Sequence, residues 1–167
     1  MDFLLVTRPA LGLIALASAV ALSTAFIGQY VFDLPPCDLC IYQRYPYVIA
    51  IALCLFTLMP AIQSYAFWTF IILTLFLLIN SVIAAHHVGV EQHWWTGPEG
   101  CTGPSGTPET LEALRAQIAA TPIFRCDEVT FSLLGISMAG YNALFSLVLA
   151  IYAALVGKSV LRARLNS

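Results

Sequence analysis

Four long apolar stretches alternate with polar segments along the chain, and each is near the length that crosses a bilayer. The stretches run from about Ala10 to Phe32, Tyr45 to Met59, Tyr65 to His86 and Ser137 to Val156. A helix of about 20 apolar residues spans the hydrocarbon core, where every backbone polar group must be satisfied internally. The pattern predicts an all-α integral membrane four-helix bundle, with residues 1–167 forming a single domain.

The connections between the stretches set the direction of the helices. Only Ala61 to Ser64 follow Pro60 before the third stretch, which predicts an antiparallel hairpin. Pro46 suits the first turn of the second helix, where a missing N–H costs little.

A cleaved signal peptide is the competing interpretation of the first stretch, but the apolar run exceeds the about 7–15 residues of a signal-peptide core.

Two loops, residues 33–44 and 89–135, lie on the side opposite the termini. The first part of the longer loop is predicted to be irregular and mobile because glycine and proline recur in it: Gly97, Pro98, Gly100, Gly103, Pro104 and Gly106. A short amphipathic helix follows, with Thr107 as its expected cap and Pro122 at its end. Its apolar face is predicted either to lie in the membrane interface or to pack on protein, and consists of Leu111, Leu114 and Ile118.

The basic residues orient the bundle. They cluster in the terminal segments, as Arg8, Lys158, Arg162 and Arg164, whereas the two loops are poorer in them for their length. Lysine and arginine near span ends favour the cytoplasmic side. Both termini are therefore predicted to be cytoplasmic, and both loops non-cytoplasmic.

Composition narrows the class of protein and its partners. The chain is 60% hydrophobic and 10% charged, whereas a soluble domain carries about 25% charged residues. A net charge of −2 and the absence of a lysine or arginine run argue against nucleic acid as a partner. Membrane lipid is the partner that this composition requires.

Four of the five cysteines fall in the two loops: Cys37 and Cys40 in the first, Cys101 and Cys126 in the second. An even set on the non-cytoplasmic side indicates two disulfides, because that compartment is oxidising. Pairing within each loop is the natural arrangement, although four cysteines allow three pairings. Cys54, inside the second span, is predicted to be a small buried apolar residue.

The loop cysteines have three other interpretations. A zinc site would require two closely spaced pairs, and Cys101 lies far from Cys126 in the chain, so no metal is expected. A c-type haem requires histidine directly after the second cysteine, where Ile41 stands. A purely structural disulfide would not need the dithiol motif beside an arginine at the membrane boundary.

That motif is the Pro36-Cys37-Asp38-Leu39-Cys40-Ile41-Tyr42-Gln43-Arg44 segment. Cysteines separated by two residues close a small disulfide, and the Arg44 guanidinium favours the thiolate over the thiol. A mobile loop presenting Cys101 could accept a thiolate from a soluble partner through a mixed disulfide, and electrons would then pass inward to Cys37 and Cys40. The two pairs thus predict a thiol–disulfide relay.

The final electron acceptor is inferred by elimination. The sequence has no dinucleotide fingerprint, P-loop, haem motif or iron–sulfur cysteine cluster, which leaves a lipid-soluble two-electron carrier, a quinone. Arg44 near the membrane is costly unless it has a function, although it could simply snorkel to the interface. His86 or His87 could donate a hydrogen bond to a quinone carbonyl, or could be an interfacial residue without chemistry.

These residues together resemble the disulfide bond formation protein B (DsbB) family of bacterial inner-membrane thiol oxidases. The resemblance spans four helices, the dithiol motif with Arg44, the pair of Cys101 and Cys126, and the segment Phe131-Ser132-Leu133-Leu134-Gly135 before the fourth span. It implies a four-helix bundle with its redox cysteines in the periplasm. It also implies reoxidation of a thioredoxin-fold oxidase of the DsbA type, with electrons delivered to ubiquinone or menaquinone.

The resemblance also implies a role for each site residue. Cys101 would form the mixed disulfide with the partner, Cys126 could pair transiently with Cys37, and Cys40 would react with the quinone. Arg44 matches the family's arginine beside the quinone, and His87 matches a family histidine near the ring, with adjacent His86 leaving the register open. Two weaker candidates for the pocket lining are Glu91 and Met138.

Two rival functions remain at this stage. A quinone reductase like vitamin K epoxide reductase shares the relay, but its dithiol motif usually lies late in the chain, and here it follows the first span. A membrane scaffold or chaperone stapled by disulfides would use the same cysteines without catalysis.

Overall fold

The computed structural model describes residues 3–102, 107–120 and 125–166. Seven helices and one short hairpin make up this part of the chain. They are α1 (Phe3–Val31), α2 (Asp38–Tyr42), α3 (Tyr45–Thr57), α4 (Ala66–Glu91), α5 (Glu99–Thr102), α6 (Leu111–Ala120), β1 (Ser132–Leu133), β2 (Ile136–Ser137) and α7 (Met138–Leu165). A 3₁₀ turn, Gln63–Tyr65, makes the tight connection before α4.

Four segments in the described residues are long and apolar enough to cross a membrane, which confirms the predicted all-α membrane fold. They are Thr7–Val31, Asp38–Thr57, Gln63–Glu91 and Met138–Leu165. Large apolar side chains remain exposed on their outer faces, as on Leu16, Trp68 and Val148. Because lipid rather than water surrounds a spanning helix, such faces need no protein cover.

The helices meet in a core of tightly packed apolar side chains. Leu11 and Ile14 of α1, Cys54 of α3, and Phe70 and Leu73 of α4 are fully buried and belong to one cluster with residues of α7. Cys54 is therefore the buried apolar residue that the sequence predicted. The core lies toward the termini, which leaves the other end of the bundle for polar side chains.

Local signals explain most helix ends. Pro46 stands in the first turn of α3, as predicted, and Ser137 caps α7 by accepting a hydrogen bond from the Gly140 N–H at 3.1 Å. The third predicted span stops at His86, whereas α4 continues to Glu91, since nothing between them breaks a helix. His87 and Glu91 therefore lie one turn apart on the same face.

The long loop departs from the prediction at its short helix. The expected Thr107 cap is wrong: α6 begins at Leu111, and the Thr110 hydroxyl accepts the Ala113 N–H at 3.1 Å. The predicted apolar face is exposed, which favours contact with the membrane interface over packing on the described protein. Gly103, Pro104, Gly106 and Pro122, which also entered the predictions for this loop, lie outside the described residues.

A two-residue β-hairpin leads into α7 and was not predicted. Leu133 pairs with Ile136 across a turn in which Leu134 and Gly135 both have positive φ angles, of 52° and 80°. A turn of this kind matches the twist of the strands and favours glycine. The hairpin directs the chain from the loop that carries Cys126 into the fourth span.

Gly89 allows the start of the long loop to fold back on α4. The Trp95 ring lies against its Cα and stacks on His86, while the indole N–H donates to the His86 carbonyl at 3.0 Å. A Cβ at position 89 would overlap the Trp95 ring. We expect Gly89→Ala to lower the free energy of unfolding by about 1–3 kcal/mol, as measured by denaturation in detergent.

Gly12→Ala is the matched control for this prediction. Gly12 also lies in a spanning helix, but an added Cβ would meet no atom within 4 Å. Alanine should be neutral or stabilising there, by up to about 1 kcal/mol. Equal effects of the two substitutions would contradict the role assigned to the contact between Gly89 and Trp95.

Candidate redox site

The inner cysteine pair lies at the start of α2. Cys37 caps this helix in an extended conformation after Pro35 and Pro36, and its Sγ accepts the Cys40 N–H at 3.4 Å. The Sγ atoms of Cys37 and Cys40 are 3.1 Å apart, with the Cys37 thiol as donor. Both cysteines are thiols in this structure, so Cys40 is the sulfur placed to carry the thiolate.

The outer pair is a disulfide between Cys101 and Cys126, with a Cα separation of 5.3 Å. The Cys126 N–H also donates to the Cys101 carbonyl at 2.9 Å. The sequence predicted a mobile loop that presents Cys101 to a partner, but the structure covers both cysteines: Cys101 is 2% exposed and Cys126 0%. The disulfide is covered because it packs into an apolar cluster with Cys37, Leu39 and Val90.

The two pairs therefore meet. Cys37 Sγ, Cys126 Sγ and a His87 ring nitrogen lie within 4.8 Å of one another, and all three residues are buried. Such a set could bind a metal ion, but Cys126 Sγ is already bonded to Cys101. In this state the outer disulfide lies next to the inner dithiol, at a distance short enough for exchange after a small movement.

His87 stands at the centre of the site. Its Nε2 is 3.5 Å from Cys37 Sγ and 3.8 Å from Glu91 Oε1, and its Nδ1 is 3.0 Å from the Gln43 side-chain nitrogen. The structure also separates the two adjacent histidines. His87 is 2% exposed and faces the cysteines, whereas His86 is exposed and stacks on Trp95.

Arg44 lies at the end of α2, one turn after Cys40. Its Nη1 donates to Gln29 Oε1 at 2.7 Å, and its guanidinium carbon lies 5.0 Å from the centre of the Phe26 ring. Its Nε is buried without a hydrogen-bond partner among the described residues, and so is Oε2 of Glu91. Buried polar atoms of this kind usually have a partner, so two hydrogen-bonding positions are open for a bound molecule.

A cavity of about 530 Å³ connects these residues. Six of the predicted site residues line it: Cys37, Cys40, Arg44, His87, Glu91 and Met138. The rest of the wall is largely apolar and comes from α1, the connection between α1 and α2, α3, α7 and the hairpin segment, including Ala25, Leu34 and Phe145. Apolar walls with a few convergent polar groups are typical of a small-molecule site, and a quinone ring with an apolar tail fits this chemistry.

Three amide side chains on the cavity wall were not predicted as site residues: Gln29, Gln43 and Asn142. Each is an amide within or beside an apolar span, where a polar side chain is costly unless it has a partner. That cost was the available signal. It did not reveal that these amides contact Arg44, His87 and each other.

The hydrogen bond from Cys37 to Cys40, together with burial, raises the pKa of the Cys37 thiol far above its ordinary value. Cys37 should therefore remain a thiol as the pH rises through the usual thiol range near about 8.5. Because only the thiolate is alkylated, we expect iodoacetamide to modify Cys40 before Cys37 at every pH in that range, as read by mass spectrometry of the peptides.

Cys40→Ala separates this effect from burial. It removes the acceptor of the Cys37 hydrogen bond, so the pH at which Cys37 becomes reactive should fall. An unchanged pH midpoint would show that access alone protects Cys37.

Comparison with known proteins agrees with this geometry. The family model for disulfide bond formation protein DsbB matches residues 7–156. Disulfide bond formation protein B of Verminephrobacter eiseniae (strain EF01-2) is 31% identical over 164 residues, which cover 94% of this chain and 90% of the relative. An uncharacterized protein of Rickettsia prowazekii (strain Madrid E) is 30% identical over 141 residues, covering 83% and 81%. No solved structure gives a significant match. The family match over nearly the whole chain, on a bundle that brings two cysteine pairs together, shows that the protein belongs to the DsbB family.

Proposed function

We propose that the protein oxidises the dithiol of a periplasmic thioredoxin-fold oxidase of the DsbA type and passes the two electrons through its cysteine pairs to a membrane quinone. Family membership supports thiol–disulfide oxidoreductase chemistry. The observation that carries the finer proposal is the convergence of the two pairs, with Cys37 Sγ and Cys126 Sγ within 4.8 Å beside a cavity lined by Arg44.

The first step is an exchange with the partner. A partner thiolate attacks Cys101 Sγ, the bond between Cys101 and Cys126 breaks, and Cys126 leaves as the thiolate. The partner's second thiolate then attacks the mixed disulfide, which releases an oxidised partner and the Cys101 thiolate. Because Cys101 is 2% exposed, the segment that carries it must move aside before the partner can reach it.

The second step moves the electrons between the pairs. The Cys126 thiolate attacks Cys37 in the Cys37–Cys40 disulfide, and Cys40 leaves as the thiolate. The Cys101 thiolate then attacks Cys126, which restores the outer disulfide and releases Cys37 as the thiolate. The structure, with an outer disulfide and an inner dithiol, corresponds to the product of this step.

The final step returns the inner pair to a disulfide. Arg44 and Glu91 present buried polar atoms to the cavity, and His87 and Met138 line it, so these residues would hold a quinone beside Cys40. A bound quinone supplies an acceptor for two electrons and two protons. The Cys37 thiol donates a hydrogen bond to Cys40 Sγ, and such a bond stabilises the thiolate, the form that donates electrons.

We further propose that the protein lies in the bacterial inner membrane with both termini in the cytoplasm. The clustering of Arg8, Lys158, Arg162 and Arg164 near the termini supports this orientation. It places the four loop cysteines in the periplasm, where a DsbA-type partner resides and disulfides persist.

The test is a turnover assay of the purified protein in detergent with a reduced DsbA-type partner and a short-chain quinone, following quinone loss by ultraviolet absorbance. We expect consumption that requires both the partner and Cys40, with Cys40→Ala inactive. If no quinone is consumed while the four loop cysteines remain two inert disulfides, a structural role for the loop replaces the relay.

A further inference from the structure

A chain of hydrogen-bonded polar side chains runs from the redox site into the apolar part of the bundle. We call it the amide chain; its members are Gln43, Asn142, Tyr47, Ser146 and Asn80. Four of them are at least 95% buried, and the chain links α3, α4 and α7 with the end of α2. None of these residues belongs to a cysteine pair, so the relay does not account for them.

Along the amide chain the hydrogen-bond donors run in one direction, from Asn80 toward Gln43. The Asn80 amide donates to Ser146 Oγ at 2.9 Å, and Ser146 Oγ lies 2.8 Å from the Tyr47 hydroxyl. The hydroxyl of Tyr47 donates to Asn142 Oδ1 at 2.5 Å, so the Ser146 hydroxyl does not receive that proton. Ser146 Oγ faces two acceptors, the Tyr47 oxygen and Asn142 Oδ1, the latter at 3.3 Å. The Asn142 amide then donates to Gln43 Oε1 at 2.5 Å.

The last link determines the protonation of His87. Since Gln43 Oε1 accepts from Asn142, the Gln43 amide nitrogen faces His87 Nδ1 at 3.0 Å. An amide nitrogen can only donate, so Nδ1 must present its lone pair. In the neutral ring the proton is then on Nε2, which faces Cys37 Sγ at 3.5 Å and Glu91 Oε1 at 3.8 Å.

The reverse orientation of the Gln43 and Asn142 amides is less favourable at the His87 end. With these two amides turned over, the Gln43 oxygen would face His87 Nδ1, which would then carry the proton. Nε2 would present its lone pair to a carboxyl oxygen and a sulfur, at 3.8 Å and 3.5 Å. Opposed lone pairs in a buried site cost stability.

We propose that Gln43 is a positioning residue that holds His87 in the tautomer with its proton on Nε2, with the amide chain keeping Gln43 in the required orientation. The consequence for Cys37 rests on the function proposed above. When Cys37 leaves as the thiolate, His87 donates a hydrogen bond to its sulfur. No proton is transferred. The histidine acts as a donor to sulfur and not as a base.

The test reads the tautomer directly, in protein labelled with ¹⁵N-histidine and purified in detergent. Long-range ¹H–¹⁵N correlation of the imidazoles distinguishes protonated from unprotonated ring nitrogens. His86→Gln and His93→Gln assign the three signals. We expect His87 Nδ1 at the limiting shift of an unprotonated nitrogen and Nε2 at that of a protonated one, whereas exposed His86 and His93 show averaged values.

Substitutions along the amide chain should move this signal in defined ways. Gln43→Glu keeps the shape but offers only acceptor oxygens when ionised, so Nδ1 should gain a proton. Gln43→Met should lower the tautomer ratio about fivefold, the factor that corresponds to one net hydrogen bond, and Asn142→Leu should shift it in the same direction. Ser81→Ala is the control, because it removes a buried bond between α4 and α7 outside the chain and should leave the shifts unchanged.

A wild-type His87 protonated on Nδ1 would overturn the proposal, and so would a Gln43→Met variant with an unchanged tautomer ratio. Neither result depends on turnover, since no partner or quinone is present. An inactive protein with the expected tautomer would contradict the relay and leave the role of Gln43 intact. An active protein with the His87 proton on Nδ1 would support the relay and contradict the role of Gln43.

Discussion

Turnover with a reduced partner is expected to fall by about three orders of magnitude or more when Cys126 is replaced by serine, the scale seen when a covalent nucleophile is removed. Cys126 Sγ lies within 4.8 Å of Cys37 Sγ, and Cys37 is itself only 6% exposed. In the proposed relay Cys126 is the cysteine that attacks the inner pair, so its loss should interrupt electron transfer from the partner. The measurement is quinone-coupled turnover in detergent.

Cys101→Ser distinguishes a loss of chemistry from a loss of the disulfide. Both substitutions remove the same bond, which stabilises by about 3 kcal/mol in a loop of this length. Cys101→Ser leaves Cys126 free to attack Cys37 but unable to return to its loop mate. A Cys37–Cys126 disulfide should therefore accumulate, visible by mass spectrometry of peptides digested under non-reducing conditions.

Cys54→Ala controls for the loss of a buried cysteine as such. Cys54 is 0% exposed in the core cluster, away from the redox site, so its replacement should cost some stability and no turnover. If Cys126→Ser retained more than about a tenth of the wild-type rate, the two pairs would not act in series.

The second large effect is expected for Arg44→Met. Methionine keeps an unbranched apolar stem against Phe26 but removes the charge and the hydrogen bond to Gln29. A hydrogen bond from the charged Arg44 side chain to a bound quinone would contribute about 1.5–3 kcal/mol. Its loss should raise the apparent KM for quinone about 10–100-fold. Thermal unfolding should change much less. Steady-state turnover at limiting quinone measures the first quantity.

Arg125→Met is the matched control. Arg125 pairs with Asp127 and Glu128 in the loop, and its removal should leave the quinone KM unchanged while loosening the segment beside Cys126. If Arg44→Met left the KM for quinone unchanged, Arg44 would be a residue that simply snorkels to the interface.

Sequence patterns predicted the spans well because a membrane imposes one strong requirement on composition. The second predicted span begins at Tyr45, where α3 begins. The fourth is predicted to begin at Ser137, which is the cap of α7, and α7 begins at Met138. The ends of the spans were less certain. The last predicted residue of the third span is His86, because polar residues follow it, but α4 continues to Glu91. A helix can leave the apolar region without ending, and hydropathy does not register that.

The site was predictable as a set of residues but not as a geometry. The dithiol motif and the loop cysteines could be read from the chain, whereas the burial of Cys101 depends on packing against Leu39 and Val90. The amide chain could not be found in this way. Gln43 and Asn142 are 99 residues apart in sequence, and no periodicity links one polar residue to a particular partner on another helix.

The covered outer disulfide has a consequence for which thiols the protein can oxidise. With 2% and 0% of its two cysteines exposed, the bond offers no sulfur to a small thiol diffusing in the surrounding compartment. Only a molecule that binds the loop strongly enough to uncover Cys101 gains access. In the proposed relay, burial of the outer disulfide would therefore select protein substrates over abundant low-molecular-weight thiols.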